Sequence, residues 1–358
     1  MTTTIPKGST VLVTGINGYI ASHVADQLLL AGYKVRGTVR SISKGEAVKA
    51  ALEARHPGAN IPIVAVADMA QAGAFDEAVK GVSGIAHVAS VVSFDEDPNN
   101  VIPEVIAGVK SILISAATEP SVKSFVYTSS STAAVKPVSN KRFTVDSNSW
   151  NEEDIEAAHK PPPYDGRAFT VYSASKAEAE KAVWGFVKEQ KPSFITNSIL
   201  PNCNFGEIFV EGQASTGGFL KAIYEDYGKP IPDGFSWRTI PPRKQSVSLL
   251  KGFITDDILE WFVDVRDTAR LHIAALIFPD VKNERIFAFA EPFNYDDIFK
   301  IIEEVRPGHK LPENTHNPED RDLSEVSEKP RAEELLKRFG RSGFASLHDT
   351  VKEVIEAL

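Results

Sequence analysis

One stretch near the start constrains this chain more than any other: Val11-Leu-Val-Thr-Gly15-Ile-Asn17-Gly18-Tyr19-Ile20-Ala21, an apolar β-branched run that passes through a glycine turn into a helical pattern. Gly15 permits a sharp turn, and Gly18 removes the side chain where backbone must come close to an anion. Ala21 is small enough for the helix to press onto the sheet. The exposed N–H groups and the dipole of a helix N-terminus then favour a pyrophosphate. Two small residues after a strand often mean only a tight turn. Here the strand before and the helix after supply the setting a dinucleotide site requires.

The rhythm that follows is that of a parallel sheet with crossover helices. Strands are expected at Ser9–Thr14, Lys34–Val39, Ile61–Ala67, Gly84–Ala89, Ser124–Ser129 and Phe194–Leu200. Between them run helical patterns from Gly18 to the stop at Gly32, across Phe75–Lys80, Pro98–Thr118 and Ala168–Glu189. Lys136–Arg167 is polar and reads as a surface excursion. Beyond Pro201 the rhythm breaks, and Gly, Pro and aromatic residues dominate up to Glu260. Trp261–Val265 and Arg285–Ala290 read as strands around the helix Arg266–Phe278, with a mainly helical tail. The expected fold is α/β: a Rossmann-type doubly wound parallel sheet with a smaller C-terminal substrate-binding lobe. Residues 1–201 would form the NADP(H)-binding domain, with 261–290 returning to it. Residues 202–260 and 291–358 would form the lobe.

The second strand chooses the cofactor. An NAD site commonly ends that strand with a carboxylate on the ribose hydroxyl. Here Val35-Arg-Gly-Thr-Val-Arg40-Ser-Ile-Ser-Lys44 has no acid before Glu46. Arg40, with Lys44 nearby, would instead neutralise a 2′-phosphate, so NADPH/NADP+ is expected rather than NAD. Asp68, after the third strand, is a candidate for the adenine edge and equally a helix cap.

Tyr172 and Lys176 lie at i and i+4, on one helical face. Phe125-Val-Tyr-Thr128-Ser-Ser130 brings hydroxyls to the C-terminal end of a strand, where open α/β sheets bind ligands. Carbonyl reduction needs a hydride, a proton donor and a group that holds the oxygen. Tyr172 can donate the proton, and a cation ~4 Å away would tune it by about 4 kcal/mol. Ser130 can donate a hydrogen bond to the same oxygen as charge develops. A Tyr–Lys pair alone is common by chance; joined to the glycine turn and the Thr128-Ser-Ser130 strand end, in this chain order, it becomes specific.

These segments, together with His87-Val-Ala-Ser90, Ile199-Leu-Pro201 and Phe262-Val-Asp-Val-Arg-Asp267, resemble an extended short-chain dehydrogenase/reductase. The resemblance covers nearly the whole chain. It is to the branch that holds dihydroflavonol reductases and fungal aldehyde, ketone and methylglyoxal reductases. It implies Ser130, Tyr172 and Lys176 as catalytic residues and Arg40 with Lys44 on the 2′-phosphate. It also implies cofactor contacts from Gly15, Asn17, Gly18, Tyr19, Ile20, Asp68, Met69, Ala89, Ser90, Val91 and Thr128, with Pro201 and Cys203 at the nicotinamide. Substrate contacts are expected from Ser130, Phe94, Asn204, Phe235 and Trp237. The flavonoid-binding Asn that follows Thr-Ser-Ser in dihydroflavonol reductases is missing from Ser131-Thr-Ala-Ala-Val135, which argues against flavonoids. The stretch Ser236–Asp257 is longer than in relatives.

Other features bound the function. The net charge of −9 opposes a general nucleic-acid or membrane surface, and the single Cys203 allows no internal disulfide. No signal peptide and no membrane span of ~18 apolar residues is expected, so the reading is a cytoplasmic monomer or homodimer acting on a small carbonyl compound. His23, His87 and His272 read as structural, and no metal is expected. Asp264 and Asp267 read as a capping and ion-pair cluster around Arg266. Phe94, Phe205, Phe209, Phe219, Tyr224, Phe235 and Trp237 could line an apolar pocket or be the core of the lobe. If 202–257 is an apolar lid, it would select bulky hydrophobic carbonyls. Two rival readings share the architecture: a nucleotide-sugar epimerase or dehydratase, which would favour an acid where Arg40 stands, and a non-catalytic NADP sensor, which would not need the triad.

Overall fold

Apolar runs separated by amphipathic helices leave each strand few options but to lie parallel to its neighbours, with the crossovers covering both faces. The computed structural model describes residues 3–213, 215–225, 260–311 and 319–358. Its central sheet joins β1 (Thr10–Val13), β2 (Lys34–Val39), β3 (Ile63–Ala65), β4 (Gly84–His87), β5 (Ser124–Thr128), β7 (Ile195–Pro201) and β10 (Arg285–Ala288). The order is β10-β7-β5-β4-β1-β2-β3, parallel throughout. Strand order reverses between β1 and β4, and the crevice at their carboxyl ends is where such sheets hold ligands.

Alternation along each strand feeds two cores. Val11 and Val13 face α1 (Tyr19–Leu30) and α8 (Val265–Ile277), while Leu12 faces Ile112 and Val105 of α4 (Ile102–Thr118). Gly32 ends α1 at a φ of +83°, which suits glycine. Ala332, Leu335 and Leu336 of α10 (Lys329–Lys337) join the α8 side, and Val171, Ala174 and Val183 of α6 (Ala168–Gln190) join the α4 side. By length and composition the segment Pro98–Thr118 could cross a bilayer, contrary to the expectation that no stretch would. Over half of it is buried, and its apolar stripe packs against α6 and the sheet, as in a soluble core helix.

The segment 136–167 is more ordered than a surface excursion. It holds β6 (Thr144–Val145), paired with β12 (Glu325–Val326), and α5 (Glu152–Ala158). Asn151 caps α5 through the Asp154 N–H, and three acids occupy its first turn.

The lobe has its own sheet, in the order β11 (Glu291–Phe293), β9 (Glu260–Asp264), β8 (Cys203–Phe205). Its core brings Phe205, Phe262 and Phe293 together with α7 (Gly217–Glu225), α9 (Tyr295–Val305) and α11 (Leu347–Glu356). Two boundaries differ from expectation. The return of 261–290 to the central sheet begins at α8, because β9 pairs with β8 and β11. Within 291–358, α10 packs on the nucleotide-side core rather than in the lobe. The apolar residues of β9 and the Ala332, Leu335 and Leu336 stripe of α10 suit either core, so composition alone does not assign them.

Candidate active site

The glycine turn after β1 is held from below. Gly15 adopts φ +63°, and a β-carbon there would sit 3.0 Å from that of Ala89. The Thr38 hydroxyl accepts from Gly15 N at 3.2 Å, and Thr14 Oγ1 accepts from Val88 N and Ala89 N. The loops after β1 and β4 are thus tied together where the sheet order reverses. Gly37 was not foreseen: any side chain there would strike Ile16 at 2.6 Å. Gly18 caps α1 without a side-chain bond, and the first turn carries no acid. The N–H groups of Tyr19, Ile20 and Ala21 are therefore open to an outside acceptor. Arg40 and Lys44 are exposed at the end of β2, with no ion pair among the described residues. An open helix N-terminus beside free cations suits a phosphorylated dinucleotide. Asp68 is exposed and accepts from Ala70 N, which makes it a turn cap. Asn17, Met69, Ser90 and Val91 lie along the same crevice loops, Ser90 and Val91 partly buried.

Ser130 follows β5 directly. Its Oγ accepts from Thr132 N at 3.3 Å and Thr132 Oγ1 at 3.0 Å, which leaves its own O–H to donate outward. Tyr172, on the first turns of α6, stacks on Phe94 at 5.7 Å and meets the tilted ring of Phe169 at 5.9 Å. Burial pushes the Tyr172 phenol above its usual value, and the Ser130 hydroxyl pulls it back partway. The nearby Glu260 charge pushes the same way as burial. The expected lowering by Lys176 is absent: the Lys176 ammonium is turned to the Thr128 carbonyl at 3.3 Å. Burial instead acts on Lys176 itself and lowers it to about 8, with Glu180 opposing.

Glu180 is the member that sequence reasoning missed. It lies one further turn along the Tyr172–Lys176 stripe and is fully buried. It accepts from Ser129 Oγ and Ser198 Oγ at 2.7 Å each, from Arg285 Nε at 2.8 Å and Nη2 at 3.1 Å, and from Trp184 Nε1 at 3.2 Å. Arg285 also donates to the Ser147 and Ser149 carbonyls and lies 3.9 Å from the centre of the Trp150 ring. One carboxylate thereby fastens α6 to β5, β7 and β10. An arginine inside an otherwise apolar strand was the signal for it.

Other expected contacts fall elsewhere. The Thr128 hydroxyl is spent on His272 Nε2 at 2.7 Å, so only its backbone faces Lys176. Asn204 is buried, its amide donating to Asn202 O and accepting from Thr268 Oγ1; it is a structural residue, not a substrate contact. Cys203 is held as a thiol by burial and by Glu260. Pro201 is buried at the end of β7. Of the lobe aromatics, Phe205 and Phe219 stack within the core, Phe209 stacks on His23, and Tyr224 on His309. Of the aromatics expected at the pocket, Phe94 alone among the described residues reaches Tyr172. Phe235 and Trp237, with the rest of the expected lid, fall outside the described residues. Burial lowers His87 to about 3 and His23 and His272 to about 4, and each is bonded within the fold. Asp264 caps α8 and pairs with Arg266 at 2.7 Å, and Asp267 pairs with Arg270 at 2.6 Å.

The model of a family described as the NAD dependent epimerase/dehydratase family matches residues 11–288. The NAD-dependent epimerase/dehydratase terH of Aspergillus terreus is 40% identical over 99% of this chain and 98% of its own. Aldehyde reductase 2 of Sporidiobolus salmonicolor is 36% identical over 98% of this chain and 96% of its own. The crystal structure of Gre2 from Candida albicans in complex with NADPH superposes with a TM-score of 0.75 at 26% identity, covering 98% of both chains.

Proposed function

Since this chain belongs to the NAD dependent epimerase/dehydratase family, we propose that it reduces a ketone or aldehyde to an alcohol at the expense of NADPH. The carrying observation is the protonated Tyr172 beside the hydroxyl of Ser130, at the carboxyl edge of the sheet and next to an uncapped helix N-terminus. Relatives named as an aldehyde reductase and a ketoreductase support this chemistry.

NADPH, when bound, supplies the hydride that the carbonyl carbon receives. Ser130 donates to the carbonyl oxygen and orients it toward Tyr172. Tyr172 transfers its phenolic proton to that oxygen as negative charge develops, so the carbonyl leaves as an alcohol. The Lys176 ammonium, which rests on the Thr128 carbonyl in the free protein, turns to the phenolate left behind and stabilises it until it regains a proton from solvent. An epimerase reading is disfavoured by Arg40, which stands where a tightly held NAD+ would call for a carboxylate. The test is to follow NADPH absorbance with a panel of ketones and aldehydes. Oxidation of NADPH with formation of the alcohol supports the reading, and no turnover with any of them sinks it.

Arg40→Ala is expected to weaken NADPH by about 2 kcal/mol, ~30-fold in Kd, and NADH hardly at all, because the charge-assisted contact exists only with the phosphate. Equal losses for both cofactors would remove Arg40 from phosphate recognition.

The pH dependence follows from Lys176. Its charged form persists below about 8 and is lost above it, while the raised Tyr172 stays protonated through the same range. So kcat/KM for reduction should be level near neutrality and fall as pH rises through about 8. An alkaline limb that begins only in the ordinary phenol range would show that Lys176 is not the titrating group.

A further inference from the structure

Beside Tyr172 the fold buries two polar side-chain atoms that make no hydrogen bond of normal geometry. Glu260 opens β9 and is only 9% exposed, yet its Oε2 has no hydrogen-bond partner among the described residues. Asn202, between β7 and β8, has the same deficit at Nδ2. The two side chains face one another: the Asn202 amide pulls the Glu260 carboxyl down against burial, although the pair stops short of a hydrogen bond of normal geometry. The Asn202 amide is oriented by the fold: its Oδ1 accepts from Cys203 N at 2.8 Å, which turns Nδ2 away from its own backbone. Glu260 lies close enough to Tyr172 and Cys203 for its charge to raise both.

We propose that Glu260 and Asn202 form a polar subsite that binds a hydroxyl group on the carbonyl substrate, making this a reductase of hydroxy ketones or hydroxy aldehydes. A buried donor and a buried acceptor that meet each other only loosely cost stability in the free protein, and a ligand hydroxyl that meets both recovers it. A hydroxyl does so, accepting from Asn202 Nδ2 and pairing with Glu260 in either protonation state. An ammonium has no acceptor for Asn202. A carboxylate would meet the negative charge of the buried Asp322, whose proximity, after burial, helps to raise Glu260 to about 8. Asn204, the side chain expected here from sequence, is already saturated by Asn202 and Thr268.

The inference rests on the reductase reading, and matched ligands separate the two. kcat/KM is measured with NADPH for acetoin against butanone, diacetone alcohol against methyl isobutyl ketone, and benzoin against deoxybenzoin. The hydroxylated member of at least one pair should be preferred ~10-fold or more, since a site built for a hydroxyl rejects the analogue lacking it. Glu260→Leu should bring that ratio to near one, chiefly by slowing the hydroxy ketone, and Glu260→Gln should keep most of it. Equilibrium binding of the corresponding diol and mono-alcohol to the NADP+ complex reads the subsite without turnover, and the same ratio is expected in Kd. Absent turnover with a persisting binding preference would overturn the reductase reading and keep the subsite. Ratios near one throughout, or a preference that survives Glu260→Leu, would show that no substrate hydroxyl meets the pair and would overturn the proposal. Should Glu260→Leu fail to fold, Asn202→Ser carries the same comparison, with a reduced ratio expected and an unchanged one overturning it.

Discussion

Replacing Tyr172 by phenylalanine is expected to lower kcat by ~10²-fold or more while NADPH affinity stays nearly the same. The substitution removes one oxygen and keeps the ring. Its contact with Phe94 and Phe169 therefore survives, and α6 should stay in place. What disappears is the proton that burial holds on the phenol through neutral pH. With Ser130 left as the single donor, charge on the reduced oxygen has a hydrogen bond but no proton to take up. Steady-state turnover with NADPH and a direct binding titration of the cofactor check the two halves separately. Near-normal turnover in the variant would take Tyr172 out of the mechanism. A large loss of NADPH affinity would mean that the ring positions cofactor rather than proton.

Glu180→Ala should destabilise the protein by about 3–5 kcal/mol, because it leaves the Arg285 guanidinium buried without its carboxylate. Arg285 retains the Ser147 and Ser149 carbonyls and the Trp150 ring, which places the expected loss at the lower end of that range. Replacing both partners with leucine should restore most of the stability, since apolar groups of similar volume need no compensation there. Glu180 also acts on Lys176 as a positioning residue: its charge opposes the lowering of that ammonium. In a folded Glu180→Gln variant the alkaline fall of kcat/KM should therefore shift to lower pH. Urea unfolding of the single and double variants, with the pH profile of Glu180→Gln, gives the check. If the single variant is as stable as the parent, the network contributes little; an unmoved alkaline limb would confine Glu180 to a structural role.

The nucleotide half of the molecule was legible in the sequence because its signals are local. Gly15 and Gly18 announce a backbone approach, period-two runs announce buried strands, and Tyr172 and Lys176 share a face by spacing alone. Expectation and structure part where the deciding contact is distant in sequence. Thr128 looked like a site hydroxyl, but it is claimed by His272 from α8. Asn204 looked like a substrate contact and is saturated by Thr268. The helix Glu152–Ala158 was readable from Asn151-x-x-Asp154 and three first-turn acids, yet its polar setting reads as loop.

By itself, then, the sequence determined the doubly wound sheet, the glycine turn after its first strand, the standing of Arg40 where a carboxylate is common, and the order Ser130, Tyr172, Lys176. Each follows from steric, periodic or electrostatic rules that act over a few residues. Only the tertiary structure decided which core a given apolar strand joins, and so sent β9 to the lobe sheet instead of the central one. Only it showed that burial, rather than Lys176, dominates the Tyr172 hydroxyl, because desolvation depends on everything packed around a group and not on its neighbours in the chain. For the same reason Glu180 and Arg285, far apart in sequence, and Glu260 beside Asn202 became visible as a network and a buried polar pair only once the strands carrying them lay side by side.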